Sequence, residues 1–310
     1  MTAVPTVRIC YLYPRLLSVA GDRGNLFALM RRCAWRGIRY SVTEADVGEV
    51  PDFGQADLIL VHGGQDREMT TAAKDLRAKA SPLRDAIEAD AVVLAVCAGY
   101  QLLGRYYAPS YGPPIAGLGA LDVVTEGGAT RFIGHVAVQC DLGPGSEFQI
   151  AGFENHSGRT YLGSGVKPLG HVLGGAGNNG EDGTEGARYR EVYATYLHGP
   201  VLPKNPALAD HLLSRGLAHR YRDFGPLPPL TDQAEAQAHA AAMRLARRPA
   251  ARWRAVAARI GRPVRVPVPA AGPVPAGGPA PADGPVAADG PVTADGTAPT
   301  TEKVAGWTSP

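Results

Sequence analysis

One thiol in this sequence stands where covalent chemistry is possible. Cys97 follows the apolar run Ala91-Val92-Val93-Leu94-Ala95-Val96 and precedes Ala98-Gly99-Tyr100-Gln101-Leu102-Leu103-Gly104. The first stretch reads as a buried parallel strand, the second as the opening of a helix packed on a sheet. A nucleophile at such a strand-to-helix turn is pushed outward when small residues two positions away let the turn tighten. Here those residues are Ala95 and Gly99. The helix N-terminus that the thiol faces favours thiolate over thiol. The alternative is a buried cysteine serving as a small hydrophobe.

Acyl transfer through a thiol also needs a base and donors for an oxyanion. Among eight histidines, His198 is the best base candidate. It ends the apolar strand Val192–Leu197, and Gly199-Pro200 turns the chain there. His62, His135, His156 and His171 compete on position alone. Gly63-Gly64-Gln65 offers backbone N–H groups with no side chain in the way; with the amide of Ala98 they suit the oxyanion of a tetrahedral intermediate. An ordinary βα turn would also explain those glycines. Arg131, after Gly127-Gly128, has the planar fork that grips a carboxylate by two hydrogen bonds, although a solvated arginine fits equally. Glu154-Asn155-His156-Ser157-Gly158-Arg159 is a dense polar cluster to which chemistry alone assigns no role.

The elements that must hold these residues follow from the apolar pattern. Val7–Tyr13 reads as a first strand, stopped by Pro14. Gly21-Asp22-Arg23-Gly24-Asn25 makes a turn, with Asn25 placed to cap a helix over Leu26–Trp35. Strands at Ile38–Val42, Leu58–His62 and Ala91–Val96, with a helix over Thr70–Ala89, predict a doubly wound, mostly parallel α/β sheet. Ligands bind such sheets beyond the carboxyl ends of the strands, so Gly63-Gly64 and Cys97 should face one crevice. After residue 110, strands at Gly117–Thr125, Arg131–Gln139 and Phe148–Phe153 lack helices between them and predict an antiparallel extension at one side of the sheet. A loop at Gly174–Gly186, a strand at Glu191–Leu197, and helices at Pro206–Arg222 and Thr231–Arg247 complete the ordered pattern. From about Arg262 the chain becomes Pro, Ala, Gly and Val with a short repeat, the composition of a disordered C-terminal tail.

The 310 residues, 45% of them apolar, suit one large or two modest domains. A net charge of +2 gives no reason to expect nucleic acid or a membrane surface as partner. Cys10, Cys33, Cys97 and Cys140 show no C-x-x-C spacing, which speaks against a zinc site or disulfide framework and for a reducing compartment. No leader and no run near the roughly 18–20 apolar residues of a membrane span is visible, so the expectation is a cytoplasmic protein. There is neither a phosphate-binding G-x-x-x-x-G-K-[ST] loop nor a strand–G-x-G-x-x-G–helix unit. If an ATP-driven ligation uses this chain, the nucleotide should sit elsewhere.

At the elbow, Cys97 followed by Ala-Gly-Tyr-Gln-Leu-Leu-Gly resembles class I, triad-type glutamine amidotransferases of the cobyric acid synthase-like branch. Tyr11-Leu12-Tyr13-Pro14, Gly21–Asn25, Gly63–Glu68, Gly152–His156 and Tyr196–Pro206 narrow the resemblance to the glutaminase subunits of lipid II isoglutaminyl synthases. It covers residues 5–222 as one domain, leaving a helical extension at 223–261 and the tail at 262–310 outside it. The resemblance implies a flavodoxin-like core and hydrolysis of L-glutamine at Cys97, with His198 as base. It also implies substrate binding by Arg131, Gly64, Ala98 and Gln101, and no metal or cofactor in this chain. Ammonia would pass to a Mur-ligase-like subunit that uses ATP and Mg²⁺ to amidate the D-glutamate α-carboxyl of lipid II, giving D-isoglutamine. Two departures stand out. Relatives of this class often carry Pro-Glu after the histidine, whereas this chain has Gly199-Pro200, so the acidic third member is unassigned and a Cys–His dyad is an option. His62 also stands where a glycine often precedes the Gly-Gly loop. Alternatives are the glutaminase part of a cobalamin-pathway amidotransferase, a γ-glutamyl hydrolase or cysteine peptidase, and a non-catalytic binding subunit.

Overall fold

In the computed structural model, which describes residues 4–18 and 21–247, strands and helices alternate through the first hundred residues. The elements are β1 (Thr6–Leu12), α1 (Arg23–Trp35), β2 (Arg39–Ala45), β3 (Leu58–Val61), α2 (Asp66–Ala78), α3 (Ala80–Glu88), β4 (Val92–Val96) and the short α4 (Ala98–Leu103). Every residue of β3 and β4 is buried, the reason their sequences are continuous apolar runs rather than alternating ones. After β5 (Tyr106–Ala108) and β6 (Ile115–Ala116) come two long strands, β7 (Val123–Asp141) and β8 (Glu147–Leu162). The chain then forms β9 (Gly170–Gly174), β10 (Thr184–Glu185), β11 (Ala187–Tyr189), β12 (Val192–Thr195), α5 (Pro206–Arg220) and α6 (Gln233–Ala246).

The first sheet has the order β11-β12-β4-β3-β1-β2. All its neighbours are parallel except β11 on β12. Read from the other edge, this is the flavodoxin-like 2-1-3-4-5 arrangement, with β12 as the fifth strand. Its two faces bury separate cores, one with Leu12, Ile59, Val61, Val93 and Ala95, the other with Ile9, Leu60, Leu94, Val96 and Leu212. The register pairs Val61 with Ala95 and Val96 with Thr195, so β3, β4 and β12 end level with one another. Whatever follows Val61, Val96 and Thr195 therefore emerges at one edge.

The antiparallel strands form a second sheet of order β10-β9-β7-β5-β6, with β8 paired to β7. Of the strand expected at Gly117–Thr125 only Val123–Thr125 forms, and it runs on through Arg131–Gln139 as the single strand β7, with a register shift between Gly127 and Phe132. Gly127 is forced, because a Cβ there would lie 2.3 Å from the Ser110 backbone nitrogen. Packed on this sheet, α6 sets Met243 and Ala246 against Ala137 and Ala151. The tail read as disordered lies outside the described residues.

Two local expectations fail for identifiable reasons. Asn25 does not cap α1, because the helix already begins at Arg23 and the Asn25 Oδ1 instead accepts from the Leu202 N–H at 2.9 Å. The helix expected over Thr70–Ala89 starts at Asp66 and divides at Lys79 into α2 and α3. Pro82 explains the division, since its ring excludes a helical bond to Ala78 and clashes with that carbonyl. The buried Lys79 at the break spends its ammonium on Asp75 and on the Asp46 carbonyl.

The elbow depends on Gly99. Its N–H donates to the His62 carbonyl at 3.1 Å, and an added Cβ would lie 2.2 Å from the Val61 carbonyl oxygen. Because backbone must move to admit it, Gly99→Ala is expected to destabilise the protein by at least about 2 kcal/mol. Thermal melts should show a Tm lower by about 4–8 °C for a chain of this size. An unchanged melt would mean that the elbow is looser than its packing indicates.

Candidate active site

Cys97 terminates β4 with φ 51° and ψ −100°, a region an L-residue occupies only when its surroundings impose it. Its N–H is held by the Thr195 carbonyl at 2.8 Å, and its own carbonyl accepts from Gln101 at 3.0 Å. The side chain is left partly exposed. Cys10, Cys33 and Cys140 are buried, and burial pushes each of their thiols up to about 12, which keeps them protonated and unreactive.

His198 lies three residues past the end of β12 and is fixed from both sides. Its backbone forms a bridge with Phe153 of β8, His198 N–H to Phe153 carbonyl at 2.9 Å and the reverse bond at 3.3 Å. Its Nδ1 lies 3.0 Å from Asp22 Oδ2, and its ring shares one cavity wall with Cys97. With Nδ1 committed to the carboxylate, Nε2 is the nitrogen left for sulfur. Burial alone would lower the imidazole's pKa, but the facing Cys97 thiolate and the Asp22 carboxylate outweigh it and push His198 up to about 10. The imidazole thus stands between the carboxylate and the thiol, buried on the Asp22 side and reached by the partly exposed sulfur on the other.

Asp22 is the member that reading the sequence missed. It sits between β1 and α1, at the carboxyl edge of the sheet beside β3, and is fully buried. Its backbone is helical and its side chain makes no cap bond, because Oδ2 is taken by His198 and by the Gly63 N–H at 3.3 Å. The topology carried the signal: in a 2-1-3-4 order the loop after β1 opens beside the loop after β3.

A cavity of about 850 Å³ lies over the thiol, walled by Gly64, Asp66, Arg67, Arg131, Asn155 and His198 among others. Arg131 stands at the bulge in β7, with Nε donating to Asn155 Oδ1 at 2.6 Å and Nη2 to the Asn155 carbonyl at 3.1 Å. Asn155 was only part of an unassigned polar cluster in the sequence; it aims the guanidinium. Gly63 spends its N–H on Asp22, so Gly64 is the loop donor that remains. A Cβ on Gly64 would lie 3.8 Å from that of Ala98 and 2.2 Å from Leu17 Cδ2, which explains the glycine and sets it beside the first residue of α4. The Ala98 N–H has no acceptor four residues back within a helix. Gly64 and Ala98 are thus neighbours at the mouth of the elbow.

Of the residues singled out in the sequence, Cys97, His198, Arg131 and Gly64 wall one cavity, with Ala98 beside Gly64. Gln101 does not join the cavity wall. It is buried behind the elbow, where its Nε2 donates to Tyr196 Oη at 3.2 Å, and that hydroxyl in turn meets Thr160 Oγ1 at 2.6 Å. Of the competing histidines, His156 stacks on Tyr196 at 3.6 Å, and burial pushes it down to about 3. His135 packs edge-on against Phe153, and His171 is exposed on β9.

The rest of the polar cluster builds the hairpin. Glu154 accepts the Ala176 and Gly177 N–H groups, and Arg159 lies 3.4 Å from the Phe132 ring centroid while donating to the Thr130 carbonyl.

Comparison with known proteins agrees with this geometry. A family model described as the CobB/CobQ-like glutamine amidotransferase domain matches residues 8–206. The subunit GatD of lipid II isoglutaminyl synthase (glutamine-hydrolyzing) from Staphylococcus aureus is 40% identical over 222 residues, 72% of this chain and 88% of that one. The protein of the same name from Streptococcus pneumoniae is 37% identical over 227 residues, 73% of this chain and 86% of that one. A cobyric acid synthase from Pelotomaculum thermopropionicum is 32% identical over 174 residues, but these make up only 32% of its length. The family match runs from within β1 to the first residue of α5 and takes in every residue named above around the cavity. This chain belongs to the CobB/CobQ-like glutamine amidotransferase family.

Proposed function

We propose that this protein is the glutaminase subunit of a lipid II isoglutaminyl synthase, releasing ammonia from L-glutamine for a second, ATP-dependent subunit. The observation that carries the reading is the Cys97–His198–Asp22 relay beneath a cavity with a guanidinium on its wall. The relatives that share most of this chain's length, rather than the cobyric acid synthases, select the pathway.

In this reading the Arg131 fork binds the α-carboxylate of glutamine. The Cys97 thiolate attacks the γ-carboxamide carbon, and the Gly64 and Ala98 N–H groups hold the oxyanion. His198 gives its proton to the departing nitrogen, ammonia leaves, and a γ-glutamyl thioester remains. Water, deprotonated by His198, then attacks the thioester; glutamate departs and the thiol is regenerated. Gln101 supports substrate binding indirectly, by fixing the Tyr196 network behind the elbow. This chain needs no cofactor for that cycle. ATP and Mg²⁺ belong to a Mur-ligase-like partner that activates the D-glutamate α-carboxyl of lipid II, with the two subunits forming a cytoplasmic heterodimer. Among the described residues, no helix is long and apolar enough to cross a membrane.

Reconstitution tests this division of labour. The protein alone should bind no ATP and amidate no muropeptide. Adding the Mur-ligase-like partner should give glutamine-dependent amidation of lipid II, read by mass spectrometry as exchange of OH for NH₂ on the stem peptide. Ammonium salts should bypass Cys97→Ala in that mixture but not an inactivated partner. Amidation by the isolated chain, or of a corrinoid but not lipid II, would overturn the proposal.

A further inference from the structure

The residue just before the Gly-Gly loop is a histidine with nothing to bond to. His62 follows the last residue of β3, is fully buried, and has no partner on either ring nitrogen. Its backbone is engaged, the carbonyl accepting from Gly99, and its ring packs at 5.0 Å from that of Tyr11. The next residue, Gly63, donates to Asp22 Oδ2, so the imidazole and the carboxylate are one peptide unit apart along a hydrogen bond. On Asp22 the other oxygen, Oδ1, is also buried and unpartnered. A carboxylate oxygen only accepts, whereas a neutral imidazole has one N–H to give. Two buried, unmet groups of complementary chemistry therefore belong to one small cluster around Gly63, where buried polar groups as a rule are paired.

We propose that His62 is a positioning residue of the glutaminase centre, its neutral ring donating to Asp22 Oδ1, after a small ring rotation or across one water, and so aiming Oδ2 at His198. Burial pushes His62 down to about 4, so near neutrality the ring supplies an N–H without adding a charge that would compete with the imidazolium of His198. The charged or titratable groups around it are Asp22 from the turn before α1, His198 from the turn after β12, and Tyr11 of β1 with Arg23 over its ring. Of these, Asp22 alone lacks a partner for an oxygen. A residue here without a donor leaves Asp22 anchored through Oδ2 alone.

The proposal rests on the glutaminase reading above, and its test separates the two. Steady-state glutaminase kinetics of the complex would be measured for His62→Phe and His62→Gln across pH. His62→Phe should lower kcat by on the order of tenfold or more with little change in KM. It should also move the alkaline limb of kcat/KM to lower pH, because His198 loses part of its anionic support. His62→Gln, which retains an N–H donor, should recover most of both. Wild-type kcat and an unmoved limb in a folded His62→Phe would overturn the proposal, as would equal losses in both variants with no shift of the limb. Ammonia release surviving Cys97→Ala would instead remove the glutaminase reading itself. Should His62→Phe not fold, ¹⁵N-histidine spectra of the native chain decide. His62 should be neutral with one protonated nitrogen, and that signal should move in Asp22→Asn; an unmoved signal overturns the proposal.

Discussion

Cys97→Ala is expected to abolish ammonia release from glutamine, by on the order of 10³-fold or more, while leaving the melting temperature close to that of the parent chain. Alanine keeps a small side chain at the tight turn and meets the same backbone angles, so only the nucleophile is lost. His198→Ala should fall by a comparable factor, and the double variant should fall no further, because the thiolate and its base act as one unit. Replacing Cys10, Cys33 or Cys140 by serine or alanine should leave turnover nearly unchanged, since those thiols are buried and held protonated. Coupled assay of glutamate production reads all of these. Near-normal turnover in Cys97→Ala would end the thioester mechanism.

Asp22→Asn should be the most damaging change outside the thiol–imidazole pair. Asparagine keeps an oxygen in place for the His198 Nδ1–H and the Gly63 N–H but removes the charge. One of the two anions that raise His198 is then gone, so its value falls from about 10 toward its ordinary 6.5. Turnover should drop on the order of 10²-fold or more. The alkaline limb of kcat/KM should move to lower pH. Stability carries the same signature. A histidine raised on folding stabilises fully below its unfolded value near 6.5, and that contribution is lost as pH rises through about 10. The stability gap between parent and Asp22→Asn should therefore be widest below pH 6.5 and close toward pH 10. Denaturant melts at several pH values measure it; a gap that widens with pH would contradict the ion-pair assignment.

What could be read from residue order, and what could not, divides along the range of the forces involved. The elbow was legible because its causes are local: a fully buried strand must be apolar throughout, and Gly99 has a carbonyl where a Cβ would go. His198 was legible as the polar end of another such strand. Asp22 was not, although it stands 176 residues before its histidine only in sequence and 3.0 Å away in space. By local propensity it is merely an acid in a glycine-rich turn. The parallel sheet, which no short window encodes, brings the end of β1 beside the end of β3. Asn25 misled for the reverse reason, since an excellent cap residue was taken for a tertiary contact with Leu202. Gln101, placed at the substrate by the family resemblance, has its amide committed to Tyr196 instead.

The hairpin of β7 and β8 has a further consequence. One of its strands bears Arg131, and the other clasps the backbone of His198 through Phe153 while Asn155 of that strand steadies the arginine. The group proposed to grip the substrate and the group proposed to carry the proton are thus mounted on one lever. A displacement of the hairpin shifts both together relative to the thiol, which belongs to the other sheet. Affinity and turnover are consequently geared to each other in this architecture, and a substitution along the hairpin should rarely alter one without the other.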